Sequence, residues 1–207
     1  MRLLFASSNS HKLEEVRAIL GPLGVDVVGL DSMKSTPPEP VEDGATFEAN
    51  ARIKAIAYAK YAGQHCLADD SGLEVDALHG APGVHSARYA GVGSNRAERD
   101  AANNAKLLNQ LKHVPLERRT ARFVCAMCLA DPQGRVLHET RGTFPGLITD
   151  SPAGINGFGY DPLLYLPETC CTSAQLDPMQ KNARSHRGQA ARAMAAWLQA
   201  HRRHFGV

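Results

Sequence analysis

The stretch Ala68-Asp69-Asp70-Ser71-Gly72 places two adjacent carboxylates between an apolar segment and a glycine. Cys66-Leu67-Ala68 predicts a short buried strand, and Ser71-Gly72 predicts the turn that ends it. Strand ends beside such turns are where α/β sheets present side chains to a ligand. Two neighbouring negative charges repel each other, so a cation, a proton or a metal must compensate them. The pair is either part of a site or an exposed acidic turn.

The acidic pair suits one kind of metal better than others. Carboxylate oxygens are hard ligands, and Mg²⁺ binds through one or two of them together with substrate phosphates. Glu42 and Asp43 precede a predicted long helix and could add a ligand or merely solvate their loop. The Cys125-x-x-Cys128 pair lies in a predicted strand, where residues three apart face opposite sides. A zinc or redox role for these cysteines is therefore disfavoured.

Strands and helices are predicted to alternate in the first half of the chain, followed by hairpins. The first part is predicted as a strand over 2–6, a helix with Leu13, Val16 and Leu20 on one face, a strand over 25–28, a loop over 31–43 and a helix from Thr46 to near Gly63. The strand of the acidic pair follows, with Leu73–Val75 as its hairpin partner, then a Gly-rich loop over 80–93 and a helix over 95–111. The last part is predicted as a hairpin over 120–130 and 135–143, a Gly-rich loop over 153–162 and a last helix after Ser185. This order favours an α/β fold with a mixed sheet.

Size and composition limit the function classes. A chain of 207 residues fits one domain or one two-lobed unit, and 43% hydrophobic residues suffice for a core. A formal charge of +2 gives no electrostatic case for a nucleic-acid partner. No apolar run is long enough to span a membrane, and the first residues are unlike a signal peptide. We therefore expect a cytoplasmic protein with neither a nucleic-acid nor a membrane partner.

A polar loop lies between the first predicted strand and the first helix. It consists of Ser7, Ser8, Asn9, Ser10, His11 and Lys12. Free backbone N–H groups and the helix dipole at such a position favour an anion. Lys12 falls in the first helical turn, where a cation is locally unfavourable, and a bound phosphate would remove that conflict. The alternative is an ordinary Ser/Asn cap followed by a solvated lysine.

Two further groups could bind a ligand. The loop over 154–162 surrounds Phe158 and Tyr160 with glycines, which let a backbone approach a ligand while a ring offers a stacking face. A tight surface loop with buried rings is the alternative. Lys181, His186 and Arg187 place cationic or proton-bearing groups around a predicted helix start, which suggests an anionic or carbonyl-rich partner. A solvated basic patch is the alternative.

Six motifs occur in one order along the chain. They are Ser7-Ser8-Asn9-x-x-Lys12, Glu42-x-Gly44-x-Thr46-Phe47, Ala68-Asp69-Asp70-Ser71-Gly72, Gly80-Ala81-Pro82-Gly83, Gly157-Phe158-Gly159-Tyr160-Asp161-Pro162 and Ser185-His186-Arg187-Gly188. Together they resemble the inosine/xanthosine triphosphate pyrophosphatase family over about residues 3–198. The resemblance implies a single domain over 1–207, with an elongated mixed β-sheet, flanking helices and two lobes around a central substrate cleft. It also implies a homodimer.

The resemblance implies Mg²⁺-dependent hydrolysis of ITP, dITP and XTP, which are deaminated purine nucleoside triphosphates, to the monophosphate and pyrophosphate. Asp70 matches the general base and a metal ligand, Glu42 matches a metal-associated acid, and Asp69 is a further metal candidate. Phe158 is expected to stack on the base, with His186 and Arg187 at its edge. The implied substrate residues are Ser7, Ser8, Asn9, Ser10, His11, Lys12, Ser71, Phe158, Gly159, Tyr160, Asp161, Lys181, His186 and Arg187.

Two other functions remain open at this point. One is a pyrophosphatase that acts on other modified nucleotides, such as pyrimidines. The other is a nucleotide-binding module without turnover. Pyrophosphate release from inosine triphosphate with Mg²⁺ separates these functions from the expected one.

Overall fold

The computed structural model describes residues 1–33, 35 and 38–205, and these residues form a mixed α/β protein. The strands are β1 (Arg2–Phe5), β2 (Asp26–Val28), β3 (Cys66–Val75), β4 (Thr120–Ala130), β5 (Val136–Ile148), β6 (Leu164–Leu166) and β7 (Cys171–Thr172). The helices are α1 (Ser10–Leu20), α2 (Phe47–Ala62), α3 (Arg96–Leu111), α4 (Pro178–Arg184), α5 (His186–Ala200) and α6 (Arg202–Phe205). The predicted α/β fold with a mixed sheet and flanking helices is confirmed. Lys34, Thr36 and Pro37 of the predicted loop lie outside the described residues.

The sheet joins parallel and antiparallel strands in the order β2-β1-β3-β4-β5-β6-β7. β1 pairs in parallel with both β2 and β3, as expected where helices α1 and α2 connect the strands. β6 pairs antiparallel with β5 and with β7, which are joined to it by loops. Helices α1 and α2 therefore both connect strands at the parallel end of the sheet.

The prediction of a turn at Ser71-Gly72 is wrong. β3 continues from Cys66 to Val75, so Leu73–Val75 extends the strand instead of forming a hairpin partner. Gly72 has a different role: a Cβ at this position would collide with Ser86, whose Oγ accepts from Leu73 N at 2.8 Å. A glycine within a strand often marks such a close approach of another segment.

The helix boundaries follow from their caps. Thr46 Oγ1 accepts from Ala49 N at the start of α2, and Gly63 with φ 62° ends that helix. Asn95 caps α3 in the same way, so both predicted helices are confirmed. Helix α4 was not predicted from the sequence, because seven residues give too short a periodic pattern. Its signal is the capping box of Asp177 and Gln180.

The chain divides into two compact units. The first contains 1–70, 125–142 and 186–207, and its core includes Leu3, Leu67 and Met194. The second contains 71–124 and 143–185, and its core includes Leu73 and Leu107. The cleft, the elongated sheet and the single two-lobed domain over 1–207 stay predictions. No helix in the described part of the chain is both long and apolar enough to cross a membrane.

Candidate active site

The acidic pair follows the point where β1 stops pairing with β3. The last register pair is Phe5 with Leu67, and Ala6 N still donates to the Leu67 carbonyl at 2.8 Å. Because successive residues of a strand face opposite sides, the carboxylates of Asp69 and Asp70 enter different surroundings. The two acids therefore have different partners, although they are neighbours in the chain.

Asp69 is compensated by two cations. Its Oδ2 lies 2.9 Å from Lys12 Nζ and 3.2 Å from Arg187 Nε, and its side chain is 1% exposed. Burial alone would raise the pKa of Asp69, but the charges of Lys12, Arg187 and Lys54 outweigh burial and lower it. Asp69 is therefore a buried carboxylate that stays ionised. The interpretation of Lys12 as a solvated cap residue is wrong, since its charge is paired with Asp69.

Asp70 is held by two residues of α2. Its Oδ1 accepts from Lys54 Nζ at 3.0 Å, and its Oδ2 accepts from Asn50 Nδ2 at 3.2 Å. Lys54 Nζ also donates to Glu42 Oε2 at 2.9 Å, so one ammonium joins two carboxylates. Burial raises the pKa of Asp70 above its ordinary value, although Lys54 opposes the shift. Asp70 therefore binds a proton more readily than an exposed aspartate does.

Three residues of this network were not found from the sequence: Asn50, Lys54 and Glu15. A signal for the first two exists in α2, where Asn50 and Lys54 stand four apart on the face that carries Phe47, Ala51 and Ala55. Polar residues on an otherwise apolar helix face require partners inside the protein. Glu15 accepts a hydrogen bond from Arg187 Nη1 at 2.5 Å, and no comparable sequence pattern predicts this contact.

The polar loop leads into the capped N-terminus of α1. Asn9 is the N-cap of α1, and its Oδ1 accepts from His11 N at 3.1 Å. Ser7 Oγ accepts from Asn9 N at 3.2 Å, while Ser8 and Ser10 are exposed. The loop thus presents hydroxyl groups and backbone N–H groups ahead of Lys12, the arrangement that favours an anion.

A cavity of about 230 Å³ lies within the first unit beside these groups. Its lining combines loop residues, carboxylates and helix α2, namely Ala6, Ser7, Ser8, Leu30, Glu39, Glu42, Lys54, Tyr58 and Asp69. This lining of hydroxyls, an ammonium and carboxylates suits a phosphate chain accompanied by a cation.

The donor set fits a hard divalent cation. Glu42 and Asp70 already converge on one positive charge, that of Lys54. Asp69 Oδ1 is buried and accepts no hydrogen bond from any residue that the structure describes. Those same residues contain no group of three His, Cys, Asp or Glu able to hold a metal. Mg²⁺ needs only one or two carboxylate ligands when substrate phosphates complete its coordination shell.

A second group of predicted residues lies together in the second unit. Asp161, 2% exposed, accepts from Lys181 Nζ at 2.5 Å, from Phe158 N at 2.8 Å and from Ser173 Oγ at 2.8 Å. Gly157 has φ 79°, and a Cβ there would collide with the Asp161 carboxylate. Gly157 therefore allows the close packing around Asp161.

The aromatic residues of that loop differ in role. The Phe158 ring is half-buried, with the Arg96 guanidinium carbon 4.5 Å and Lys181 Nζ 5.1 Å from its centroid. Tyr160 is 4% exposed in the core of the second unit, and its hydroxyl donates to the Ser86 carbonyl. Tyr160 therefore packs in the core, whereas the Phe158 ring contacts two cations. The predicted substrate contacts of both residues stay predictions.

The remaining candidates are placed as follows. Gly159 N donates to Asp100 Oδ2 at 3.0 Å, which ties the loop to α3. Ser71 is half-buried in β3. Lys181, His186 and Arg187 are all buried, so the solvated-patch interpretation is wrong. Arg187 joins the network of Asp69 and Glu15, and its predicted contact with a base stays a prediction.

Comparisons with known proteins cover nearly the whole chain. The model of the Ham1 family matches residues 3–197. A protein of Exiguobacterium sibiricum named dITP/XTP pyrophosphatase is 50% identical over 198 residues, 96% of this chain and 97% of that one. One of the same name from Desulforamulus reducens is 49% identical, with 92% of each chain covered. The solved structure of a HAM1 protein from Coxiella burnetii matches with a TM-score of 0.86 and 40% identity, covering 97% of this chain and 99% of that one.

Proposed function

The chain belongs to the Ham1 family, and we propose that it hydrolyses deaminated purine nucleoside triphosphates such as dITP, ITP and XTP to the monophosphate and pyrophosphate. The observation that carries the proposal is the shared name of relatives about 50% identical over more than nine-tenths of both chains. The family expected from the six motifs is confirmed. The chemistry of the first unit supports the same reaction, residue by residue.

Asp70 acts as the general base in this proposal. Its raised pKa brings it closer to the operating pH, where a carboxylate is a better proton acceptor. Asn50 and Lys54 fix its two oxygens, so the carboxylate is oriented before substrate arrives. Asp70 takes a proton from the water that attacks the α-phosphate, and pyrophosphate leaves.

Lys12, Lys54 and the loop over 7–12 bind the triphosphate. Lys12 is held by Asp69 at the N-terminus of α1, where backbone N–H groups also favour an anion. Cations fixed before the reaction stabilise charge as it develops on phosphate oxygens. Asp69 has a positioning role, because it holds Lys12 and Arg187 in place.

Glu42 and Asp70, with Asp69 as a further candidate, would hold Mg²⁺. The bound ion would neutralise and orient the triphosphate. Mg²⁺ fits the oxygen ligands of this site better than zinc does.

Phe158 and Lys181 are the proposed base-site residues. Phe158 offers a stacking face, and Lys181, buried with Asp161, offers a donor to the 6-oxo group of a deaminated purine. A lysine ammonium has only donors, so the 6-amino group of adenine would face a donor where it needs an acceptor. Sites that depend on such a bond can reject the mismatched substrate by about 10⁴-fold. His186 and Arg187 are further candidates for contact with the base edge.

A pyrophosphate-release assay over a panel of nucleotides tests the function. We expect turnover of dITP, ITP and XTP with Mg²⁺, and far lower kcat/KM for ATP. Turnover of modified pyrimidine triphosphates in place of these purines would indicate a different pyrophosphatase. Binding of dITP without any pyrophosphate release would indicate a non-catalytic module, and equal kcat/KM for ATP and ITP would refute the base-site assignment.

We infer from the family resemblance that the protein is a cytoplasmic homodimer. Light scattering after size exclusion would test the dimer, since a monomer of 22.3 kDa and a dimer separate clearly. Fractionation of cells would test the location.

A further inference from the structure

Helix α2 carries three polar side chains at intervals of four residues, Asn50, Lys54 and Tyr58. Residues four apart lie on one stripe of a helix, about 6 Å apart along its axis. Asn50 and Lys54 both bond to Asp70. Tyr58 lies one turn further along the helix from Asp70. The stripe that contains Asn50 and Lys54 therefore ends in the hydroxyl of Tyr58.

The surroundings of Tyr58 place this hydroxyl at the cavity. Its side chain is 6% exposed, and it lines the cavity together with Ser7, Ser8 and Lys54. Packing therefore fixes the ring. The Tyr58 hydroxyl is not among the buried polar atoms that lack a partner in the described part of the chain, and Tyr58 lines the cavity, so the hydroxyl is available to a ligand there.

The charges near Tyr58 keep it a donor. Burial and the carboxylates of Glu39 and Glu42 raise the pKa of its phenol. The hydroxyl therefore stays protonated at neutral pH and can donate to an acceptor that lacks protons. Phosphate oxygens are such acceptors, and Lys54, with a cation at Glu42, would offset the repulsion between phosphate and these carboxylates.

We propose that Tyr58 is a substrate-binding residue whose hydroxyl donates to the pyrophosphate end of the triphosphate chain. This inference rests on the proposed function, which places the attacked α-phosphate beside Asp70. Tyr58 lies one helical turn, about 6 Å, further along α2 and lines one cavity with Ser7 and Ser8 of the phosphate-binding loop, so we assign it to the phosphates that leave. The hydroxyl thus distinguishes a triphosphate from the monophosphate product.

Calorimetry on the full chain with Mg²⁺ tests this role, with inorganic tripolyphosphate and inosine monophosphate as probes. Tyr58→Phe removes only the hydroxyl. Because a hydrogen bond to a charged group typically contributes about tenfold or more, we expect the Kd of tripolyphosphate to rise about tenfold. The Kd of inosine monophosphate should not change. Tyr61→Phe is the matched control, because Tyr61 lies on the same helix, is 46% exposed and bonds to Ser35.

Three outcomes would overturn the proposal: a Tyr58→Phe variant that binds tripolyphosphate as the wild type does, an equal loss for both probes, or a wild type that binds no tripolyphosphate. Tyr58→Leu separates ring from hydroxyl. A loss in the Leu variant without a loss in the Phe variant assigns the effect to packing and contradicts the proposal. Hydrolysis of dITP by the wild type is measured in parallel, because its absence would refute the proposed function. The role of Tyr58 is decided by the binding comparison alone.

Discussion

Asp69 and Asp70 are adjacent residues of one strand whose pKa values are shifted in opposite directions. Burial favours a raised pKa for both carboxyl groups. The charges of Lys12 and Arg187 outweigh burial and lower the pKa of Asp69, whereas Lys54 does not outweigh burial at Asp70, whose pKa is raised. Neighbouring carboxyl groups with opposite shifts commonly have different tasks in catalysis. Here the ionised acid organises cations, and the acid of raised pKa is suited to accept a proton.

Replacing Asp70 by Asn should remove most activity and leave the fold intact. The amide keeps the size of the side chain but cannot accept the proton. Loss of a positioned base typically lowers the rate about 10²–10⁴-fold. Steady-state kinetics with dITP and a thermal melt on the same preparation would check this, and a folded variant with wild-type kcat would exclude Asp70 as the base.

Replacing Lys54 by Gln should lower kcat and move the acid limb of the pH–rate profile. Activity requires ionised Asp70, so it falls as the pH drops through the pKa of this group. Lys54 lowers that pKa, and its removal should shift the limb to higher pH. Arg52→Gln is the control, since Arg52 lies on α2 but pairs with Glu139 at the surface. If the acid limb of the pH–rate profile stayed at the same pH in the Lys54 variant, the result would contradict the assignment of this limb to Asp70.

Replacing Asp69 by Asn should destabilise the protein, because Lys12 and Arg187 would lose their buried counter-charge. Breaking a buried ion pair from one side typically costs about 3–5 kcal/mol. Urea unfolding measures the change, with Asp76→Asn as the control. Asp76 pairs with Arg122 and is 49% exposed, so its loss should cost less than about 1 kcal/mol. Equal stability of the two variants would argue against the cation-holding role of Asp69.

The stability that Asp69 contributes should also depend on pH. Its pKa is lower in the folded than in the unfolded chain, so its contribution is complete above the ordinary aspartate range. The contribution is lost as the pH falls through the folded pKa. Wild type and Asp69→Asn should therefore converge in unfolding free energy at acid pH, and a constant difference down to strongly acid pH would contradict this origin.

Chelation should stop the reaction, and Mg²⁺ should restore it without zinc. The candidate ligands are carboxylate oxygens, which prefer hard cations. Pyrophosphate release in excess chelator, before and after addition of each metal, measures this dependence. Full activity in the chelator would remove the metal from the mechanism.

The sequence predicted those elements whose signals are local. Thr46 and Asn95 cap helices as expected, and the apolar periodicity of α1 placed Leu13, Val16 and Leu20 in the core. The turn prediction at Gly72 failed because the reason for this glycine is tertiary: it makes room for Ser86.

The candidate site was predicted only in part for a similar reason. The acidic pair and the polar loop each form a contiguous motif. Their partners do not: Lys54 lies 16 residues before Asp70, and Arg187 lies 118 residues after Asp69. Which cation compensates which carboxylate depends on the packing of α2 and α5 against β3, which no local pattern contains.

The alternation of β3 has a consequence for the tolerance of this chain to insertions. The pairing of Leu67 with Phe5 fixes the strand just before the acids. One extra residue between Leu67 and Asp69 would turn each carboxylate to the opposite face, so Asp69 would leave Lys12 and Arg187 while Asp70 would leave Lys54. A second insertion would restore the faces but displace both groups along the strand. The number of residues in this short segment therefore matters to the site as much as the identity of the acids does, because it decides which face of β3 carries each of them.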